Sequence, residues 1–156
     1  MKDGDVVQVA YMVKDLDAAM KKYWEVLKIG PWDVYTFSPP ELRESLYRGK
    51  SSAHTYRLAV AWVNGVQLEL MQSLTGPSIY EEFLNEKGEG LHHIKFYYQD
   101  CQKALAEFKE KGIGVIQSGK FDEDEFYYLD TQAAFGTIFE IGNSGKIRMP
   151  ERRYPA

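Results

Sequence analysis

The chain repeats itself, and that repetition limits its fold more than any other feature. Asp15, Ala19, Met20 and Tyr23 are matched 85 positions later by Asp100, Ala104, Leu105 and Phe108. In each copy a strand-like run comes first, Val6 to Val13 and Leu91 to Tyr98, rich in β-branched and aromatic residues. In each copy the aspartate then opens a helix as its N-cap. Leu16, Ala19, Met20, Tyr23 and Leu27 fall on one face of the first helix, and Ala104, Leu105 and Phe108 on one face of the second. Gly30 with Pro31, and Gly112, supply the stops.

Three strand candidates follow the first helix, at about 32–37, 55–63 and 66–72. The connection 38–52, with Pro39 and Pro40, is expected to hold a short helix. After the second helix the candidates are about 113–118, 125–130 and 136–142. Gly65-Val66-Gln67-Leu68-Glu69-Leu70 matches Gly136-Thr137-Ile138-Phe139-Glu140-Ile141 at an offset of 71. Each copy therefore reads βαβββ. Ser78 to Lys87 reads as a linking helix, with Ser78 and Glu81 spaced as a capping box and Gly88 as its stop. The expected class is α+β, one domain: module 1 over about 5–75, a linker helix over about 77–88, module 2 over about 90–143, and a tail over 144–156.

Strand parity sorts the side chains. On the first strand Val7, Val9, Tyr11 and Val13 form an apolar face for the helices, and Gln8, Ala10 and Met12 face the other way. On its repeat, Ile94, Phe96 and Tyr98 face the helices, and His93, Lys95 and Tyr97 face away. Leu68 and Leu70 flank Glu69 as Phe139 and Ile141 flank Glu140. Repeat-equivalent positions thus pair Gln8 with His93 and Glu69 with Glu140 on one face. An imidazole, two carboxylates and an amide oxygen form a borderline-hard donor set. Such a set suits one divalent ion, zinc first, with nickel, cobalt, manganese or iron as alternatives.

The remaining composition narrows the partners. The formal net charge is -4 and no basic stripe is present, which argues against nucleic acid. No apolar run approaches the ~20 residues of a membrane span. The acidic run Asp122-Glu123-Asp124-Glu125 is expected to be a solvated loop. The single cysteine, Cys101, reads as a packing or surface residue. With no signal-peptide layout at the start, the expected compartment is the cytoplasm. The aromatic residues are expected to fill the core.

Gln8-Val9-Ala10-Tyr11-Met12-Val13-Lys14-Asp15-Leu16, Leu68-Glu69-Leu70-Met71, Gly88-Glu89-Gly90-Leu91-His92-His93-Ile94 and Thr137-Ile138-Phe139-Glu140-Ile141 resemble the vicinal-oxygen-chelate proteins. The branch most similar is that of glyoxalase I and methylmalonyl-CoA epimerase, and the likeness covers roughly 5–142. It implies two βαβββ modules forming a cup-shaped, partly open β-barrel around a metal held by Gln8, Glu69, His93 and Glu140. The family alignment and strand parity both make His93 the ligand and put His92 under the helices or at an edge.

The resemblance also implies a lyase or isomerase that moves a proton next to a metal-bound carbonyl through an enolate. Glu140 is the first choice of base and Glu69 the second. Lys95 and Tyr97 are candidates to contact the substrate, a thioester or 2-oxo compound, and His54 is a candidate second acid or base. A homodimer is implied.

Two departures stand out. Epimerases have a histidine where this chain has Gln8, and their additional glutamate has no counterpart between Arg48 and Tyr56. The glutathione-recognition residues of glyoxalase I are absent too. The competing readings are a metal-free binding protein of the bleomycin-resistance kind and an extradiol-type dioxygenase. Keeping all four donors argues against the first, and Gln8 in place of a histidine against the second.

Overall fold

The computed structural model describes residues 1–156. Module 1 runs β1 (Val6–Met12), α1 (Leu16–Leu27), β2 (Trp32–Phe37), a hairpin of β3 (Leu42–Tyr47) and β4 (Lys50–Ser51), then β5 (Thr55–Val63) and β6 (Val66–Thr75). The linking helix α2 spans Ile79–Lys87. Module 2 runs β7 (Gly90–Tyr97), α3 (Cys101–Glu110), β8 (Val115–Phe121), β9 (Asp124–Leu129), a one-turn helix α4 (Gln132–Phe135) and β10 (Ile138–Gly142). The tail adds β11 (Arg152–Tyr154).

Local chemistry sets these boundaries. Asp15 accepts from the Ala18 amide at 3.0 Å and Asp100 from the Lys103 amide at 3.0 Å. Ser78 accepts from the Glu81 amide at 3.2 Å. Each cap satisfies a donor that the first helical turn leaves unpaired. Lys28 closes α1 in the left-handed conformation, two residues before the expected stop at Gly30, with Gly30 and Pro31 continuing the turn.

All eleven strands join one sheet in the order β11-β2-β5-β6-β1-β7-β10-β9-β8-β3-β4. The first strands of the two modules, β1 and β7, lie side by side and antiparallel at its centre. Each is flanked by its own module's last strand in parallel, β6 beside β1 and β10 beside β7. The ends of the sheet do not pair with each other, so it curls into an open cup and not a closed barrel. On the outer face, α1 buries Leu16 and Met20 against Trp32, Val34, Ala59, Ala61 and Leu70. Module 2 packs α3 on Leu129 and Ile141 through Ala104, Leu105 and Phe108. Inside the cup the largest apolar cluster is aromatic, including Tyr35, Phe37, Tyr56, Tyr80, Phe121, Phe126 and Tyr128. The aromatic residues therefore do fill the core, with Trp62 an exception, 63% exposed.

Several expectations are corrected. The 38–52 connection holds the β3–β4 hairpin and no helix. It crosses to module 2, where Leu42 pairs with Phe121 and Tyr47 with Gln117 on β8, and Phe37 stacks on Phe121 with ring centroids 3.9 Å apart. The tail crosses the opposite way. Arg148 clasps Asp122 of module 2 at 2.7 Å, and β11 pairs with β2 of module 1, where Glu151 accepts from the Thr36 amide at 2.7 Å. Two reciprocal straps thus tie the rims of the cup.

The acidic run is only half a loop. Asp122 and Glu123 form a turn, while Asp124 and Glu125 begin β9. Cys101 is buried at the start of α3, and burial pushes its thiol up to about 12. It behaves as a packing residue.

Candidate active site

The sheet register brings the four candidate donors to the floor of the cup. Ala10 on β1 pairs with Glu69 on one side and with His93 on the other. Gln8 lies one inward step away, beside Gln67 and Lys95. Glu140 pairs with Lys95 across the β7–β10 ladder. The methyl side chain of Ala10 leaves open space over the floor where its larger neighbours meet.

They meet around one atom. His93 Nε2 is 3.0 Å from Gln8 Oε1, 3.1 Å from Glu140 Oε2 and 3.6 Å from Glu69 Oε1. Gln8 is turned by its neighbour: its amide nitrogen donates to Gln67 Oε1, which leaves the amide oxygen facing His93. All four side chains are buried, His93 completely. The donors touch one another, and no trio of His, Cys, Asp or Glu side chains is arranged as a finished ion cage.

Lys95 is also buried at this floor, 3.3 Å from Glu140 Oε1 and 3.8 Å from Asp124 Oδ1. Burial pulls its ammonium down, and Asp124, Glu140 and Glu69 more than offset this, raising it above an ordinary lysine. Burial also pushes Asp124 up, against the pull of Lys95. Its Oδ1 is buried with no hydrogen-bond partner.

Glu69 and Glu140 diverge. Burial and the neighbouring Glu140 charge push Glu69 well above the usual carboxylate range. Burial acts the same way on Glu140, but Lys95, His93 and a hydrogen bond from Tyr128 overcome it and bring Glu140 down to about 2. The Tyr128 hydroxyl also meets that of Tyr80 at 2.8 Å.

His92 departs from simple parity. The β1–β7 ladder pairs Ala10 with His93 and Tyr11 with Leu91, so His92 is an extra residue in a β-bulge. A bulge breaks the alternation of faces. Its ring lies under α2 as expected, near Tyr80 and Phe83, yet His92 Nδ1 is also 2.8 Å from His93 Nδ1. Burial, then the His93 charge, push His92 well below the ordinary histidine value.

The cup above this floor has a volume of about 570 Å³, with Tyr35, Phe37, Tyr56, Phe126 and Tyr128 among its aromatic walls. Gln8, Glu69, Lys95 and Glu140 line it. His93, fully buried, and His54 and Tyr97 lie outside that lining. His54 is buried against Tyr56 and Tyr80, its Nδ1 3.0 Å from Ser52 Oγ, and burial lowers its pKa. Tyr97 is half-buried. Gln67, Asp124 and Tyr128 are the polar residues of the site that sequence reasoning missed. Gln67 had a usable signal, since it shares the inward face of β6 with Glu69.

A model of the Glyoxalase/Bleomycin resistance protein/Dioxygenase superfamily matches residues 7–128. The chain belongs to that superfamily. No curated protein matches it. Among solved structures, a methylmalonyl-CoA epimerase in complex with methylmalonyl-CoA and NH4+ is 21% identical, with a TM-score of 0.69 over 95% of this chain and 99% of that one. The methylmalonyl-CoA epimerase of Mycobacterium tuberculosis is 20% identical, with a TM-score of 0.67 over 90% and 87%. A variant of the Streptomyces coelicolor epimerase in complex with 2-nitronate-propionyl-CoA is 22% identical, with a TM-score of 0.68 over 91% and 98%. At these identities the likeness establishes the superfamily's fold. No helix is long and apolar enough to cross a membrane.

Proposed function

We propose that this superfamily member is a divalent-metal-dependent isomerase or lyase that moves a proton next to a carbonyl, with Gln8, Glu69, His93 and Glu140 as the metal's ligands. The observation that carries this reading is the meeting of three other donors within 3.6 Å of His93 Nε2. Donors bound at ~2.0–2.2 Å to one zinc-sized ion stand about 3.0–3.6 Å from one another. Charge supports the same reading. Three carboxyl groups, the buried Glu69 and Glu140 and the partly buried Asp124, share the floor with one ammonium, Lys95, and a divalent cation there would relieve the crowding that pushes Glu69 up.

The metal, when bound, would act as a Lewis acid toward a substrate carbonyl. The chain's own residues do the rest. The aromatic walls exclude water and hold the substrate above the floor. A floor carboxylate takes the proton from the carbon beside the carbonyl and returns it, a step typically worth ~10²–10⁴ in rate. Gln67 keeps the Gln8 oxygen turned inward, and His92 holds the far side of the His93 ring. Because solved epimerases of this fold carry acyl-CoA thioesters, 2-branched acyl-CoA thioesters are the first substrates to test.

The test has two parts. Elemental analysis of protein purified without added metal should give close to one divalent ion per chain. NMR in D2O should then show hydrogen–deuterium exchange at C2 of methylmalonyl-CoA, lost in Glu69→Gln or Glu140→Gln. Protein that takes up no ion even from excess Zn2+, yet binds small molecules in the cup, would establish the metal-free binding reading instead.

A further inference from the structure

Lys95 is the only cation at the cup floor, and moving a proton beside a carbonyl does not by itself require one. The fold nevertheless makes room for it. Gly142 follows Glu140 on the inward face of β10, and a Cβ there would lie 2.6 Å from Lys95 Cε, 2.7 Å from the Glu125 backbone carbonyl and 3.0 Å from Lys95 Nζ. The glycine admits both the β9 backbone and the lysine side chain, the kind of close approach that places glycine inside a strand. From there the ammonium reaches Glu140 Oε1 at 3.3 Å.

The other oxygen, Glu140 Oε2, is 3.1 Å from His93 Nε2. Glu140 is therefore held at both ends. Glu69, its repeat-equivalent, has one polar neighbour in reach, His93 Nε2 at 3.6 Å, and lies opposite Val60 and Ala10 on the flanking strands.

We propose that Lys95 is a positioning residue that locks Glu140 as the fixed carboxylate of the floor, so that Glu69 is the carboxylate free to reach a substrate C–H. In that step the ionised Glu69 carboxylate takes the proton: the C–H bond breaks and an O–H bond forms on Glu69. The electron pair moves into the carbon–carbon bond, and the carbonyl oxygen takes the charge. Return of the proton from Glu69 restores the acid–base state. The second half of this inference rests on the metal-dependent reading above; the lock itself does not.

Two double-mutant cycles test it. In chelator-treated protein, the urea midpoint shifts of Lys95→Met and Glu140→Gln should be strongly non-additive. Those of Lys95→Met and Glu69→Gln should couple much more weakly. Lys95→Gln serves in the same cycles where the methionine variant does not fold. The second cycle reads Zn2+ affinity by competition with a chromophoric chelator. Lys95→Met should change the Kd at least fivefold in the wild-type and Glu69→Gln backgrounds and less than twofold in the Glu140→Gln background. A residue that only fills space would act equally in all three.

Additive midpoints with Glu140, or equal coupling to Glu69 and Glu140, overturn the lock. If wild-type protein binds no Zn2+, the metal-dependent reading and the role given to Glu69 fall together. The urea cycle still decides the lock.

Discussion

Replacing His92 with phenylalanine tests whether the bulge in β7 serves the site as well as the packing. His92 and His93 face each other through their Nδ1 atoms at 2.8 Å, so one nitrogen donates and the other accepts. In the metal-free site His93 Nε2 faces two acceptors, Gln8 Oε1 and Glu140 Oε2. It therefore carries the proton, and His93 Nδ1 accepts from His92. With an ion on Nε2 the pattern reverses: His93 Nδ1 carries the proton and needs His92 Nδ1 as its acceptor. Phenylalanine keeps the ring against Tyr80 and Phe83, now at centroid distances of 5.5 Å and 5.0 Å, but cannot accept.

His92 is 1% exposed and His93 fully buried, so water does not replace the lost partner. The ion-bound state then carries an unpaired buried N–H, at a cost of ~1–3 kcal/mol. Losing such a partner of a metal-bound imidazole weakens metal affinity about 10–100-fold. Zn2+ competition should show that change, and the Tm of the metal-free protein should fall as well, because His93 Nδ1 there loses its donor. A Zn2+ Kd within twofold of wild type would refute the reasoning and leave His92 a packing residue.

Other outcomes follow from the same geometry. Tyr128→Phe removes a buried hydroxyl that meets that of Tyr80 at 2.8 Å, and should cost ~1–3 kcal/mol in urea unfolding; a neutral effect would mean Tyr80 does not depend on it. Phe37→Ala removes a buried ring stacked between the modules on Phe121 and should cost ~3–5 kcal/mol, so a loss below about 1 kcal/mol would argue against a joined core. The Arg148 side chain and backbone N–H hold the Asp122 carboxyl down to about 2, below the ~3.9 of an unfolded aspartate. The tail strap is therefore fully held above about pH 4 and is released as pH falls toward 2. Amide exchange over residues 146–151 should rise in that window, and Asp122→Asn should show the fast exchange already at neutral pH. An unchanged rate in the variant would show that other contacts hold the strap.

Much of the fold was legible because its signals are local. Asp15, Ser78 and Asp100 cap their helices as their spacing implies, and strand alternation put Gln8, Glu69, His93 and Glu140 on the inward face. What was not legible depends on distant pairing. Leu42 to Tyr47 pairs with β8, 70 or more residues away in sequence, and Pro39-Pro40 before it gave no hint of a hairpin that crosses between modules. Asp124 sits in an acidic run that reads as solvated, and its approach to Lys95 depends on the pairing of β9 with β8. The His92 position was half read. Parity placed it under the helices, but parity assumes an unbroken ladder, and the one-residue bulge turned it toward His93.

The duplication accounts for both the symmetry of the site and its asymmetry. Equivalent strands deliver equivalent carboxylates, Glu69 and Glu140, to one floor, where like charges oppose their joint ionisation. The neighbours are not equivalent. Module 2 surrounds its own carboxylate with Lys95, His93 and Tyr128, whereas Glu69 is flanked on its ladders by Val60 and Ala10. One carboxyl is thereby drawn down to about 2 and the other pushed well above its usual range. Surroundings that separate two like groups give them different roles, here the held carboxylate proposed for Glu140 and the proton-exchanging one proposed for Glu69. The division of labour at this floor is thus set by residues that the repeat does not share, with Lys95 foremost among them.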